Sequence, residues 1–467
     1  MYRKEIEGFI DSHREEMIED ICTLCRINSE KMPYVEGKPY GEGPFQALQA
    51  ALGMAEGYGF SIRNYDNYVG TADLNDKERQ LDILAHLDVV PAGEGWTETK
   101  PFEPVVKDGK LFGRGTADDK GPAVAALYAM RAVKELGIPL NKNVRLILGT
   151  DEECGSSDIV NYYDKEDEAP MTFSPDAEFP VINIEKGRLE GHFHASFQAS
   201  EAMPRLVKVE AGIKANVVPG KARAVVEGID LKTLEAAAEA VEKETGISFV
   251  LEGDLPVMTV TAQGEGAHAS TPQEGKNALT GLLVYLTRLP FAECPQMDMV
   301  KNLLKLFPHG DTCGKAAGIS MEDELSGALT LAFSMLTVGA DGLEGVFDSR
   351  CPICATEESV LGVVKQAMAD QGLTLENDSM IPPHHVDGNS HFVRTLLSVY
   401  EEYTGLEGSC QATGGGTYVH SLKNGVAYGA ALPGTDNRMH GADEFAVVDE
   451  LVLSAKIFAQ VIVELCS

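Results

Sequence analysis

Leu81-Asp82-Ile83-Leu84-Ala85-His86-Leu87-Asp88 is a short apolar run that ends on a histidine and an acid. A run of this length, rich in Ile and Leu, reads as a strand buried on both faces of a sheet. The same grammar recurs downstream. Val144 to Leu148 runs into Asp151-Glu152-Glu153, and Met171-Thr172-Phe173 leads to Asp176. Several such endings point to one rim, because ligands bind in the crevice at the carboxyl ends of the strands of an open α/β sheet. Five residues in chain order, His86, Asp118, Glu153, Asp176 and His440, are candidate ligands for two divalent metals, with Glu152 beside the third as a proton carrier.

Each segment carries a reason of its own. In His86-Leu87-Asp88, residues two apart on an extended chain face the same side, so Asp88 is placed to hydrogen-bond the imidazole nitrogen that is not on a metal. A lone His after a strand is more often structural, and the context raises its standing. Gly113-Arg114-Gly115-Thr116-Ala117-Asp118-Asp119 is a turn of small residues that delivers two acids to the start of a helix. A carboxylate has two oxygens and can bridge metals roughly 3.5–4 Å apart, which makes Asp118 the bridging candidate, while Asp119 suits a helix cap. Three acids in a row, Asp151 to Glu153, are costly at the end of a buried strand unless neutralised. On an extended chain adjacent side chains diverge, so Glu153 is assigned to a metal and Glu152 to the proton; a solvated loop is the bland alternative.

Around these segments the chain alternates apolar strands with one strong helix, Ala123 to Leu136, whose apolar positions recur at helical intervals. An amphipathic helix over Ile6 to Leu24 opens the chain, a second helix covers Gln46 to Gly57, and Phe445 to Leu465 reads as a closing helix. From about Arg188 the texture changes to alternating strands, with Asp230 to Glu244 and Glu357 to Ala369 as helices, a pattern that hints at a duplicated αβ unit. If His440 joins the earlier ligands, the final segment belongs to the first domain and the middle is an insertion. The expected fold is α/β, a catalytic domain with a mostly parallel central sheet flanked by helices, formed by residues 1–187 and 387–467. An inserted two-lobed α+β lid domain spans 188–386.

Composition narrows the class. The 467 residues carry 44% apolar and 24% charged side chains, close to globular averages. A net charge of −33 argues against gripping phosphate backbones, so no nucleic-acid partner is expected. With no long apolar run and no secretory signal pattern, no membrane partner is expected and the reading is cytoplasmic. Nine scattered cysteines suit a reducing compartment. Two C-x-x-C pairs, Cys22/Cys25 and Cys351/Cys354, lack finger spacings, and core packing explains the first. The other histidines lack comparable context, and Trp96 reads as packing beside the site loops.

Taken together, His86-Leu87-Asp88, Gly113 to Gly121, Asp151-Glu152-Glu153 with Gly155-Ser156, Ser174-Pro175-Asp176-Ala177 and Met439-His440-Gly441 resemble the signature series of the co-catalytic zinc peptidase family. That family contains carboxypeptidase G, aminoacylase, the carnosinases and the PepV-type bacterial dipeptidases, and the resemblance covers nearly the whole chain. It implies that His86 and Asp176 hold one metal, Glu153 and His440 the other, and Asp118 bridges them, with a cis peptide between Asp118 and Asp119. It implies Glu152 as general base and Asp88 as the residue that orients His86. Within the family, Asp at the position of Asp176 goes with dipeptidase and aminopeptidase-like members.

The resemblance extends into the insertion. His268, in Gly264 to Pro272, matches a lid histidine that hydrogen-bonds the tetrahedral oxyanion. Asn216 and Arg350 match positions that grip the substrate's C-terminal carboxylate, a task suited to the planar fork of arginine. Their bland readings are a turn residue and a surface ion pair. Gly415 and Gly416, in Gly414-Gly415-Gly416-Thr417, can present backbone N–H groups to that carboxylate or form a tight turn.

The function expected is a metal-dependent dipeptidase that acts on a small peptide with a free N-terminus. Zn²⁺ comes first as the ion, and Mn²⁺ or Co²⁺ suit the same donors. A monomer is expected, since the long lid of PepV-like relatives takes the place of a dimer partner. The alternatives are a deacylase or desuccinylase of N-acyl amino acids, and a catalytically silent binding protein on the same fold.

Overall fold

A computed structural model describes residues 2–467, which fall into two compact units. The first comprises residues up to Ile184, His385–Gln411 and Gly416–Ser467; the second comprises Glu185–His384 with Ala412–Gly415.

The first unit is built on a nine-stranded mixed sheet in the order Ser61–Tyr65, Val69–Asp73, Asn143–Gly149, Arg79–His86, Met171–Ser174, Gly425–Ala427, Val181–Glu185, His384–His385, with Cys410–Thr413 also paired to Val181–Glu185. The four strands Asn143–Gly149, Arg79–His86, Met171–Ser174 and Gly425–Ala427 run parallel, with His86 beside Gly149 and Ile83 beside Phe173. Both faces of these strands are covered, as the continuous apolar runs require. Leu81, Ile83 and Ala85 point into a thick layer of helices, Arg3–Ser12, Arg14–Cys25, Glu42–Gly57, Lys120–Glu135, His391–Thr404 and Val448–Cys466. Leu84 points the other way, into a smaller cluster with Ile147, Ile159, Tyr162 and Tyr418. The period-2 alternation thereby sends His86 to the thinly covered side, at the carboxyl edge.

Two expectations are corrected here. The opening helix is broken at His13, whose backbone (φ −106°, ψ 11°) leaves the helical region, so Ile6 and Ile10 pack from one helix and Met17 and Ile21 from the next. Phe445–Val447 is a strand, because it pairs antiparallel with Lys110–Phe112, and the last helix starts at Val448. In the second case tertiary pairing overrides a periodicity that continues into the helix; at His13 the break is local, with the ring stacked on Phe9 and its Nδ1 on the Phe9 carbonyl.

The second unit is an eight-stranded antiparallel sheet in the order Ser248–Asp254, Val257–Gln263, Lys221–Glu227, Arg205–Ala211, Thr330–Val338, Gly342–Cys351, Gly187–Ser196, Thr374–Leu375. Helices Leu231–Thr245, Ala278–Thr287, Pro295–Leu306 and Val363–Asp370 pack on one face around Leu189, Phe193, Val260, Phe333 and Phe347. Sequence reading assigned no element to Ala278–Thr287, whose side chains are buried nearly all round and therefore show no amphipathic stripe.

All nine cysteines are free thiols, and Cys22 and Cys25 are buried on the Arg14–Cys25 helix. Among the described residues no helix is long and apolar enough to cross a membrane.

Candidate metal centre

Three parallel strands deliver the first donors. His86 is the last residue of its strand, Asp176 follows Met171–Ser174 by two positions, and Glu152 and Glu153 lie in a 3-10 turn, Glu152–Cys154, after Asn143–Gly149. The expectation of an extended Asp151–Glu153 segment is thus corrected, and the tight turn separates the two glutamates by rotation instead. Asp118 precedes the Lys120–Glu135 helix, and a cis peptide joins it to Asp119. His440 sits in a loop with a left-handed backbone, φ +62°.

These side chains form two overlapping groups, His86 with Asp118 and Asp176, and Asp118 with Glu153 and His440, each with its donor atoms within 4.8 Å of one another. Asp118 belongs to both. Its Oδ1 lies 2.9 Å from His86 Nε2 and its Oδ2 lies 3.0 Å from His440 Nε2. Asp176 Oδ2 is 3.6 Å from His86 Nε2, and Glu153 Oε2 is 3.3 Å from His440 Nε2. One carboxylate thus offers one oxygen to each of two imidazoles, the disposition a bridging ligand needs.

The donors fit a pair of cations. His86 Nδ1 donates to the Asp88 carbonyl at 3.0 Å, which fixes the tautomer and leaves Nε2 for coordination. Nε2 makes no aligned hydrogen bond although buried, and neither does Glu153 Oε1. Such orphaned buried polar atoms are expensive without a partner. The local charge points the same way. Hydrogen bonds that His440 donates to the Asp118 and Glu153 carboxylates raise it to about 10, and burial followed by the Asp118 charge raises Asp176 to about 6. Burial, with Asp176, Glu153 and Asp118 adding to it against the opposing charge of His86, pushes the Glu152 carboxyl well above the usual range. A cluster this rich in carboxylates calls for positive charge.

The supporting acids divide the labour differently from the sequence expectation. Orientation of His86 comes from the Asp88 main chain, and the Asp88 carboxylate, 3.5 Å from Nδ1, instead accepts the N–H groups of Glu152 and Glu153, both at 3.1 Å. Asp88 therefore places the two glutamates as well as the histidine. Asp119 stands at the N-cap but makes no capping bond; its Oδ2 accepts the His86 N–H at 3.0 Å. Sequence reading gave no role to Asp158, which accepts N–H groups of Thr150 (2.5 Å) and Asp151 (3.0 Å) and the Tyr418 hydroxyl (2.5 Å), anchoring the turn. It also missed the part played by Glu444, which is bound to the Gly113–Asp118 loop. An acid that follows a ligand motif is the only signal either residue offers.

In the second unit, His268 pairs through a two-stranded ribbon with Val217, next to Asn216, whose carbonyl accepts the Ala269 N–H at 3.0 Å. His268 Nδ1 accepts the Ser270 N–H at 3.1 Å and lies 2.6 Å from Ser270 Oγ. A backbone N–H can only donate, so the neutral ring carries its proton on Nε2. Arg350 is 6% exposed and forks onto Asp348, Nε to Oδ1 at 2.6 Å and Nη2 to Oδ2 at 3.0 Å, with Nη1 donating to the Gly414 carbonyl. It is a buried, fixed guanidinium rather than the surface ion pair of the bland reading. The Gly415 N–H donates to Thr413 Oγ1 at 3.1 Å, and Gly415 and Gly416 are both exposed. The Trp96 indole N–H donates to the Ala92 carbonyl, and its ring lies under the Arg114 guanidinium.

Comparison with known proteins follows this geometry. The model of Peptidase family M20/M25/M40 matches residues 83–464. The chain is 35% identical over 461 residues to "Putative dipeptidase YtjP" of Bacillus subtilis (strain 168), covering 97% of each chain. It is 36% identical over 465 residues to "Beta-Ala-Xaa dipeptidase" of Lactobacillus delbrueckii subsp. lactis, again covering 97% of each. Among solved structures, human carnosine dipeptidase 1 shares the fold with a TM-score of 0.61 at 15% identity, over 100% of this chain and 99% of that one.

Proposed function

This chain belongs to peptidase family M20/M25/M40, and from that premise we propose that it is a metal-dependent dipeptidase acting on dipeptides with a free amino terminus. The observation that carries the reading is the shared Asp118, whose two oxygens face His86 and His440. In this reading His86 and Asp176 hold one divalent cation, Glu153 and His440 the other, and Asp118 both. When bound, such a pair lowers the pKa of water and polarises a carbonyl. Zn²⁺ is the ion we favour, with Mn²⁺ and Co²⁺ compatible with the same donors.

The remaining steps belong to side chains. Glu152 takes a proton from the attacking water and passes it to the departing amine, and its raised affinity for a proton suits that relay. His268, protonated on Nε2, donates to the oxygen that becomes an anion, and donors fixed before reaction supply a large share of such acceleration. Arg350, locked by Asp348, pairs with the C-terminal carboxylate, assisted by Asn216 and by the N–H groups of Gly415 and Gly416. Asp88 keeps His86, Glu152 and Glu153 in place. The net charge of −33 and nine free thiols support a cytoplasmic enzyme with no nucleic-acid partner, and we take it to act as a monomer.

The test is a substrate panel: dipeptides, including β-alanyl dipeptides, against tripeptides and against N-acetyl and N-succinyl amino acids, each with Zn²⁺ or Mn²⁺ restored to chelator-stripped protein. Turnover of dipeptides at least about tenfold above both other groups, abolished by the chelator, is the expected outcome. Preference for N-acyl amino acids would replace the reading with a deacylase, and chelator-stable or absent hydrolysis would remove it.

A further inference from the structure

Glu444 lies four residues beyond His440 and is fully buried. Its polar atoms are directed at a segment remote in sequence, Gly113 to Asp118. Oε1 accepts the N–H groups of Gly115 at 3.0 Å, Ala117 at 3.1 Å and Asp118 at 3.3 Å. Oε2 accepts Arg114 Nη1 at 2.5 Å, and the Glu444 carbonyl accepts the Gly113 N–H at 3.0 Å. Arg114 returns the link by donating Nη2 to the Gly441 carbonyl at 3.1 Å. The segment that carries the shared Asp118 is thereby fastened to the segment that carries His440, through a carboxylate seated in a cradle of backbone N–H groups.

The His440 segment needs such fastening. Arg438, His440 and Asp443 have φ of +55°, +62° and +56°, a region that side-chain-bearing residues adopt uncommonly and that persists where the surroundings over-determine it. Asp443 pins the same loop elsewhere, accepting from Thr97 N (2.7 Å), Thr97 Oγ1 (2.6 Å) and Glu98 N (2.9 Å). Glu444 differs from Asp443 in that one of its bonds is to the N–H of Asp118 itself.

We propose that Glu444 is a positioning residue that sets the spacing between Asp118 and His440, and hence the affinity of the cation position these two share with Glu153. This rests on the two-cation reading above. Glutamine at this position keeps an oxygen for the three N–H groups but turns an amide N–H toward Arg114, donor against donor, so the two segments must separate locally.

The experiment titrates chelator-stripped, full-length protein with Mn²⁺ and reads stoichiometry and affinity for each position, beside circular dichroism and KM and kcat for a dipeptide. Wild type is expected to bind two Mn²⁺. Glu444→Gln is expected to lose at least about tenfold in affinity at one position and less than about threefold at the other, with native circular dichroism. Asp443→Asn, which loosens the same loop without touching Asp118, is expected to change both by less than about threefold. Glu444→Asp, which keeps the charge opposite Arg114 and withdraws it by one methylene, carries the same expectation as the glutamine variant and decides the matter if that variant does not fold. Unchanged Mn²⁺ binding in both Glu444 variants, equal weakening at both positions, or an equal loss in Asp443→Asn overturns this proposal alone. A wild type that binds no Mn²⁺ overturns the two-cation reading and this proposal with it.

Discussion

In the proposed reading, a single turn of chain gives adjacent residues different work. Glu153 has an oxygen 3.3 Å from His440 Nε2, whereas the half-buried Glu152 carboxyl is desolvated, which together with the acids around it raises its proton affinity against the charge of His86. The 3-10 geometry parts the two side chains, and the Asp88 carboxylate holds both N–H groups so that neither can exchange places with the other. Glu152→Gln is therefore expected to lower kcat by about 10²–10⁴-fold, the usual reach of general acid–base catalysis. KM should stay within about threefold and bound metal, measured by elemental analysis, should be unchanged. A loss of metal in this variant would show that Glu152 is a ligand and that the assignment of the pair is reversed. The acid at each of these positions was legible in the sequence; the choice of which atom of Asp88 meets His86 was not, because it depends on where the following turn brings its N–H groups.

At the scale of elements, the parallel strands place the site and a small cluster beneath them keeps it there. Gly149 ends the strand that leads to Glu152 and Glu153. A Cβ at that position would stand 2.1 Å from Tyr418 Oη and 2.6 Å from Asp158 Oδ2. Those are the groups that hold the turn through the N–H of Thr150 and Asp151. Overpacking of this kind typically costs about 1–3 kcal/mol, so Gly149→Ala is expected to destabilise the protein by about that amount in denaturant unfolding. Because the clash is chiefly with the hydroxyl, adding Tyr418→Phe should recover part of the loss, a non-additivity that contacting residues show. Strictly additive effects would mean that the strand end adjusts without pressing on the Asp158 cluster. The strands themselves were readable from their apolar runs, and so was the Lys120–Glu135 helix. The Phe445–Val447 strand was not, since it is decided by a partner distant in the chain, Lys110–Phe112; the break at His13 was not either, because the apolar spacing continues across it.

At the scale of the whole molecule, the candidate cation ligands and Glu152 lie in the first unit, and Arg350 lies in the second. Arg350 has its Nε and Nη2 edge occupied by Asp348, which pre-orients the guanidinium toward a planar carboxylate and lets it measure substrate length in the proposed reading. Arg350→Ala is expected to raise KM for dipeptides at least about tenfold and to move the ratio of dipeptide to tripeptide turnover toward the tripeptide. Arg188, 3.0 Å from Asp348, stays to pair that carboxylate, so the fold should survive. An unchanged ratio would assign length discrimination elsewhere. By itself the sequence determined the fold class and the order of the candidate donors, because apolar runs fix strands locally and ligand chemistry is written in residue types. Only the tertiary structure decided that Asp118 turns one oxygen to each histidine, that Asp119 holds the His86 N–H rather than capping a helix and Glu444 ties its loop to the Gly113–Asp118 segment, and that Arg350 is already clamped. The first two outcomes depend on which distant N–H groups and charges a folded chain brings within 3 Å or so, and no local pattern encodes that; for Arg350 the Asp348 clamp lies two residues away on the same strand, and what folding adds is the remote Gly414 carbonyl.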